Sequence, residues 1–216
     1  MATTYRTCPS SGLQFENNAE KLMRWHAVAG VLWLLVGGIT ALLVILTRWP
    51  AIKLLPADEF YLILTAHGID MIILWILHFE MAVLFFASST LLRCRLATPK
   101  LAWLSFWLMV IGGIVCNVAI FQGGSSVMFT SYVPMQAAPH FYLGIILVAV
   151  GALIGTGIFF ATLVVAKKDK TYQGSLPLVT FGAMTAAIIA TFTILSGAAI
   201  LIPTFFWSMG WIKEID

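Results

Sequence analysis

Four ionisable side chains, His67, Asp70, His78 and Glu80, fall within one run of otherwise apolar residues. Charge or proton affinity inside a membrane-length segment is costly, so such residues are functional candidates by default. At about 100° per helical residue, His78 returns to within about 20° of His67, and Asp70 lies about 60° to the side. Glu80 projects about 220° round, on a different face. One face of this helix is therefore polar and must look into a bundle or at a partner.

His67 sits about 7 residues into the run from its outer end, roughly 10 Å deep at 1.5 Å per residue. A neutral imidazole donates a proton from one ring nitrogen and can ligate a metal through the other, so haem iron is a suitable partner. The competing reading is a histidine hydrogen-bonded to a neighbouring carbonyl. His78 reads as a satisfied interior histidine, Glu80 as a hydrogen-bonded carboxylic acid or part of a proton path, and Asp70 as protonated or paired with another subunit. Asp70, His78 and Glu80 together form a candidate proton or polar network. His26, beside Arg24 and Trp25, reads as an anchor at the inner membrane boundary.

The elements that must hold these residues are membrane spans. The chain has 216 residues, 61% hydrophobic and 10% charged, which excludes a soluble enzyme, a disordered regulator and a nucleic-acid binder. A helical span needs about 20 apolar residues, and five runs qualify: Trp25 to Leu46, Phe60 to Leu92, Leu101 to Phe121, Phe141 to Val165 and Leu178 to Pro203. The expected fold is an all-α polytopic bundle of five spans, with a cytoplasmic tail over residues 1–23 and a membrane domain over 24–216. Arg6, Lys21, Arg24, Arg93, Arg95, Lys100, Lys167, Lys168 and Lys170 fall on one side, against Arg48, Lys53 and Lys213 on the other. The positive-inside rule then places the N-terminus in the cytoplasm and the C-terminus outside. Trp25, Trp103 and Trp107 fall at the inner boundary and Trp49, Trp207 and Trp211 at the outer one.

The uncharged connection Gln122 to Pro139 faces outward and is expected to fold over something on that surface. Spans three and four carry Gly112, Gly113, Gly144, Gly151, Gly155 and Gly157, which permit either close helix approach or room for a flat cofactor. Cys8, Cys94 and Cys116 have neither zinc-like spacing nor a disulfide pattern. The polar N-terminus lacks the apolar core of a signal peptide.

The segment Tyr61-Leu-Ile-Leu-Thr-Ala-His67-Gly68-Ile-Asp-Met71 resembles the second-helix motif of subunit I of the haem-copper oxygen reductases, T-x-H-G-x-x-M. Companion segments follow in order: Leu104-Ser-Phe-Trp107 resembles the start of the third helix, and Tyr132-Val-Pro134-Met the outward-facing Y-P-P-L element. His140-Phe-Tyr-Leu-Gly144 is similar to the fourth-helix start of the B-type branch, and Leu176-Pro-Leu-Val-Thr-Phe181 to the start of the fifth. The resemblance runs from about Glu20 to the end. It implies that His67 is an axial ligand of a low-spin haem, of b or a type, near the outer surface, with Tyr132 in a loop covering the haem. No family role transfers to Asp70, His78 or Glu80.

Nothing in the chain resembles the family's G-H-P-x-x-Y element, its copper-binding histidines or the later haem ligands. The resemblance therefore implies the N-terminal part of a split subunit I, unable to reduce oxygen alone. A second polypeptide would supply copper, the high-spin haem and the other axial ligand. Further expected partners are a copper-binding oxidase subunit, cytochrome c or quinol as electron donor, and the lipid of an energy-transducing membrane. Two other readings stay open: a self-contained dihaem b-type cytochrome in quinol electron transfer, using all four histidines, and a haem-free scaffold or assembly subunit.

Overall fold

Glu16 starts the first helix ahead of the apolar run, its carboxylate accepting the Ala19 N–H at 2.8 Å, because the first N–H groups of a helix have no intrahelical partner. In the computed structural model, which describes residues 4–131 and 133–213, this helix, α1, spans Asn17–Arg48. It passes straight through the expected boundary between tail and membrane domain at residues 23 and 24. Hydropathy hid the extension, since Asn17, Glu20, Lys21 and Arg24 are polar while Ala19 and Leu22 are fully buried on the inward face. The residues before it form a short antiparallel hairpin of β1 (Tyr5–Thr7) and β2 (Gln14–Glu16).

The second span is one long helix, α2 (Ala57–Thr90), interrupted by π-helical turns at Ile69–Leu74 and Phe86–Thr90. Such turns are uncommon and concentrate at functional sites. α3 (Pro99–Phe121) and α4 (Pro139–Lys168) each begin with proline in the first turn, where its missing N–H costs nothing. α5 (Leu178–Ser208) completes the set. All five are long and apolar enough to cross a membrane, which agrees with the all-α five-span architecture expected from the sequence.

α3 and α4 pack closest, and their glycines explain it: a Cβ on Gly112 would lie 2.6 Å from the Gly144 carbonyl oxygen. At Gly112, Gly144 and Gly151, which meet backbone of the facing helix, this is close helix approach, whereas Gly157 faces open space. α5 is different. It is largely unburied, with Phe192 68% exposed, and it is tied to α2 by the Thr180 hydroxyl donating to the Ala87 carbonyl at 2.8 Å.

The two ends of the bundle differ in chemistry. At one end the three basic segments meet: Thr171 donates to the Leu92 carbonyl at 2.6 Å, Arg95 pairs with Asp169 at 3.9 Å, and Arg6 with Glu20 at 2.7 Å. At the other end, the uncharged connection after α3 folds onto the first turns of α2, where the Thr65 hydroxyl accepts the Met128 N–H at 2.8 Å. That connection does cover something: the segment carrying His67.

Candidate functional site

His67 is half-buried in the first third of α2, two residues before its first π-helical turn. Its Nδ1–H donates to the Gly37 carbonyl oxygen of α1 at 2.9 Å. A carbonyl only accepts, so the proton is on Nδ1 and the Nε2 lone pair is left for another partner. Nε2 makes no hydrogen bond among the described residues. This is the arrangement of a metal-ligating histidine, whose second nitrogen is held by a backbone carbonyl that sets tautomer and ring orientation. Of the two readings of His67, the carbonyl bond is present, and it leaves Nε2 without a hydrogen-bond partner among the described residues.

Two glycines make room for this geometry. A Cβ on Gly37 would lie 2.6 Å from Met71 Cγ and 3.3 Å from Asp70 Cβ, so the glycine eases the approach of the α1 carbonyl to α2. A Cβ on Gly68 would lie 2.8 Å from Phe129 Cβ, so glycine lets the connecting loop settle against the helix. An open cleft of about 250 Å³ lies beside His67, lined also by Leu64, Ile72 and the loop residues Met128, Phe129 and Thr130. Tyr132, expected in the same loop, lies outside the described residues. A flat apolar macrocycle fits this donor set, since the histidine is pre-oriented, the surroundings are apolar and the cleft is open at its side.

His78 shares the α1-facing side of α2 with His67, as the helical spacing indicates, but meets a different partner. Its Nδ1 lies 3.0 Å from Nδ1 of His26, both rings being fully buried. His26 is therefore an interior residue of the bundle rather than a boundary anchor. The correction has the same cause as the shifted start of α1: His26 is nine residues into the helix, not at its end. The rings pack edge-on against Phe106, with centroids 5.0 and 6.0 Å away.

Asp70 is also fully buried, and its carboxylate accepts the Asn117 amide of α3 at 2.8 Å. Asp70 and His78 on the polar face of α2 are thus covered by this chain's own α1 and α3, and Asp70 pairs within the chain. Glu80 is exposed on the opposite side, without a hydrogen-bond partner among the described residues, in a mostly apolar cleft of about 490 Å³ between α2 and α5. The three residues expected to form one polar network therefore stand in three separate environments. Asn117, Gly37 and His26 are the partners that sequence reasoning missed. One signal was available: His26 and Gly37 have the same spacing as His67 and His78, which matches two contacts along antiparallel neighbouring helices.

The dihaem arrangement does not fit. A haem held between two imidazoles needs about 4 Å between ligating nitrogens, at roughly 2 Å per metal–nitrogen bond. His26 and His78 are in direct contact instead, and His140 Nε2 is engaged by the Gln122 side chain at 3.1 Å. Among the described residues no cluster of three or more His, Cys, Asp or Glu side chains is placed to hold a metal ion.

Comparison with known proteins bears on the family and the fold. The sequence profile of the family described as Cytochrome C and Quinol oxidase polypeptide I matches residues 21–214. Cytochrome c oxidase subunit 1 of Bacillus subtilis is 29% identical over 186 residues, covering 80% of this chain and 29% of that protein. Cytochrome c oxidase subunit 1 of Thermus thermophilus is 25% identical over 209 residues, covering 91% and 36%. A haem-copper terminal oxidase dimer solved by cryo-electron microscopy superposes with a TM-score of 0.83 at 25% identity, over 93% of this chain and 35% of the solved one. The chain thus spans about a third of the length of these relatives. It belongs to the cytochrome c and quinol oxidase polypeptide I family and aligns with part of that polypeptide.

Proposed function

We propose that this chain is the part of a haem-copper oxidase catalytic subunit that supplies one axial ligand, His67, to a low-spin haem of b or a type. The observation that carries the reading is the hydrogen bond from His67 Nδ1 to the Gly37 carbonyl, beside an open apolar cleft. The haem, when bound, supplies one-electron transfer. His67 orients toward it through the fixed tautomer, while Phe129 and Met128 cover one side and limit water there.

The copper ligands, the ligand of the high-spin haem and the second axial ligand would come from the part of the family's polypeptide with which this chain does not align, about two thirds of its length. The other histidines here are engaged as described, and α5 offers an unburied apolar flank to that remaining part. A copper-binding oxidase subunit, cytochrome c or quinol would deliver the electrons, in an energy-transducing membrane. The assembled complex would reduce oxygen to water.

The test is the reduced-minus-oxidised spectrum of the whole complex carrying His67→Ala. The low-spin band should be lost while the carbon-monoxide-reactive centre of the complex stays detectable. An unchanged low-spin band would overturn the assignment.

A further inference from the structure

Glu80 stands apart from the other ionisable residues of α2, being exposed and without a hydrogen-bond partner among the described residues. It lies ten residues before the last residue of α2, about 15 Å of rise from that end and so within a hydrocarbon core of about 30 Å. A carboxyl group at that depth is costly against lipid, and such groups face protein or a water-filled cavity. The side of α2 that carries Glu80 is therefore marked as a contact face.

The groove beside it has the dimensions of a helix seat. Its walls run from Ile76 to Leu84 on α2 and from Ala183 to Ile194 on α5, about 12 to 16 Å of rise, or two to three helical turns. Thr156 of α4 also lines it, and that hydroxyl is already engaged by the Ala152 carbonyl at 2.9 Å. On the α5 wall, Ala183, Ala186, Ala187 and Ala190 lie three and four residues apart, which lets a second backbone come close. α5 has few neighbours of its own: 6% of its apolar stretch is buried within the chain, against 50% for α3 and for α4.

We propose that this groove seats a transmembrane helix from the part of the family's polypeptide with which this chain does not align, and that this helix is apolar except for a hydrogen-bond donor opposite Glu80. The inference rests on the reading of the chain as part of a longer catalytic subunit. The chain spans about a third of its relatives' length, so the remaining two thirds need surface on which to pack. The carboxyl decides between a helix and a lipid acyl chain. An acyl chain fills apolar space but offers Glu80 no donor, and a desolvated polar group without one is costly.

Photocrosslinking in the whole complex tests this. With p-benzoylphenylalanine in place of Phe79, an exposed aromatic residue of the groove wall, irradiation should join this chain to a membrane span outside residues 1–216 that aligns with the rest of the family's polypeptide. Mass spectrometry of the linked peptides identifies it. Ala186→Phe, which puts a ring into the groove from the exposed side of α5, should cut the yield severalfold. Glu80→Leu should lower the thermal midpoint of the complex by a few degrees, and Glu80→Gln, which still accepts a hydrogen bond, should keep it near the parent's. Links from position 79 to lipid alone, to a second copy of residues 1–216 or to an unrelated subunit would overturn the proposal, as would a yield that Ala186→Phe leaves unchanged. A midpoint that Glu80→Leu leaves unchanged or raises, the result for a carboxyl facing lipid, would overturn it too. Neither readout uses haem, so the His67 assignment and this one can fail separately.

Discussion

His67 on α2 and Gly37 on α1 are joined by a 2.9 Å hydrogen bond from a ring nitrogen to a backbone carbonyl. Because the acceptor is main chain, no side-chain replacement removes the acceptor. With His67 kept, a change in the spacing of the two helices is what breaks the bond.

Gly37→Leu makes that change, since a side chain there meets Met71 and Asp70 within contact distance. The low-spin band should shift or fall in amplitude with His67 still present, because an axial imidazole that loses its carbonyl partner loses orientation and basicity. Haem content per polypeptide and the reduced-minus-oxidised spectrum measure this, and a parental spectrum would count against the role of the carbonyl.

His26 and His78 hold α1 to α2 away from the haem-ligand region. His78→Ala should leave the low-spin band nearly intact, since roughly 16 Å of helix rise separates it from His67. It should nevertheless destabilise the protein by about 2 kcal/mol or more, by opening a cavity and leaving His26 without its partner. A lower thermal midpoint in detergent with an unchanged spectrum is expected. Loss of the low-spin band with His78→Ala but not His67→Ala would reverse the site assignment.

Two thiols outside the membrane should react very differently. Hydrogen bonds from Ser10 and Ser11 lower the Cys8 thiol to about 6, so at pH 7.5 it is mainly the reactive thiolate. Burial pushes Cys94 up to about 11, so it stays a protonated, shielded thiol. Cys8 labelling by a membrane-impermeant maleimide should rise with pH through about 6 and then level off, with Cys94 unlabelled. If the N-terminus is cytoplasmic, Cys8 reacts in inside-out vesicles and is protected in right-side-out ones. The opposite pattern would reverse the orientation.

Gly68→Ala places a methyl group against Phe129, whose Cβ is too close to the backbone to swing away. The connecting loop should lift, which limited proteolysis reads as faster cleavage within residues 122–138. The five helices should be retained. A cleavage rate equal to the parent's would show that the loop does not depend on this contact.

Much of the architecture was readable because membrane insertion depends on local composition. The five spans, the polar face of α2 and the separate direction of Glu80 all follow from hydropathy and helical phase, and His67 from its motif. Span ends were less legible, because hydropathy cannot register a helix such as the start of α1, which is polar outside and buried inside only once neighbours are packed against it.

The amino-acid sequence alone determined that this is a five-span helical membrane protein whose ionisable residues cluster on one helix, and it identified His67 through a family motif. Tertiary structure decided which groups they meet. His26 answers His78, Asn117 answers Asp70 and the Gly37 carbonyl answers His67. Those pairings depend on how far one helix slides along another and how close it comes. Both are set by contacts between residues distant in the chain, such as Gly37 against Met71, which no local pattern encodes.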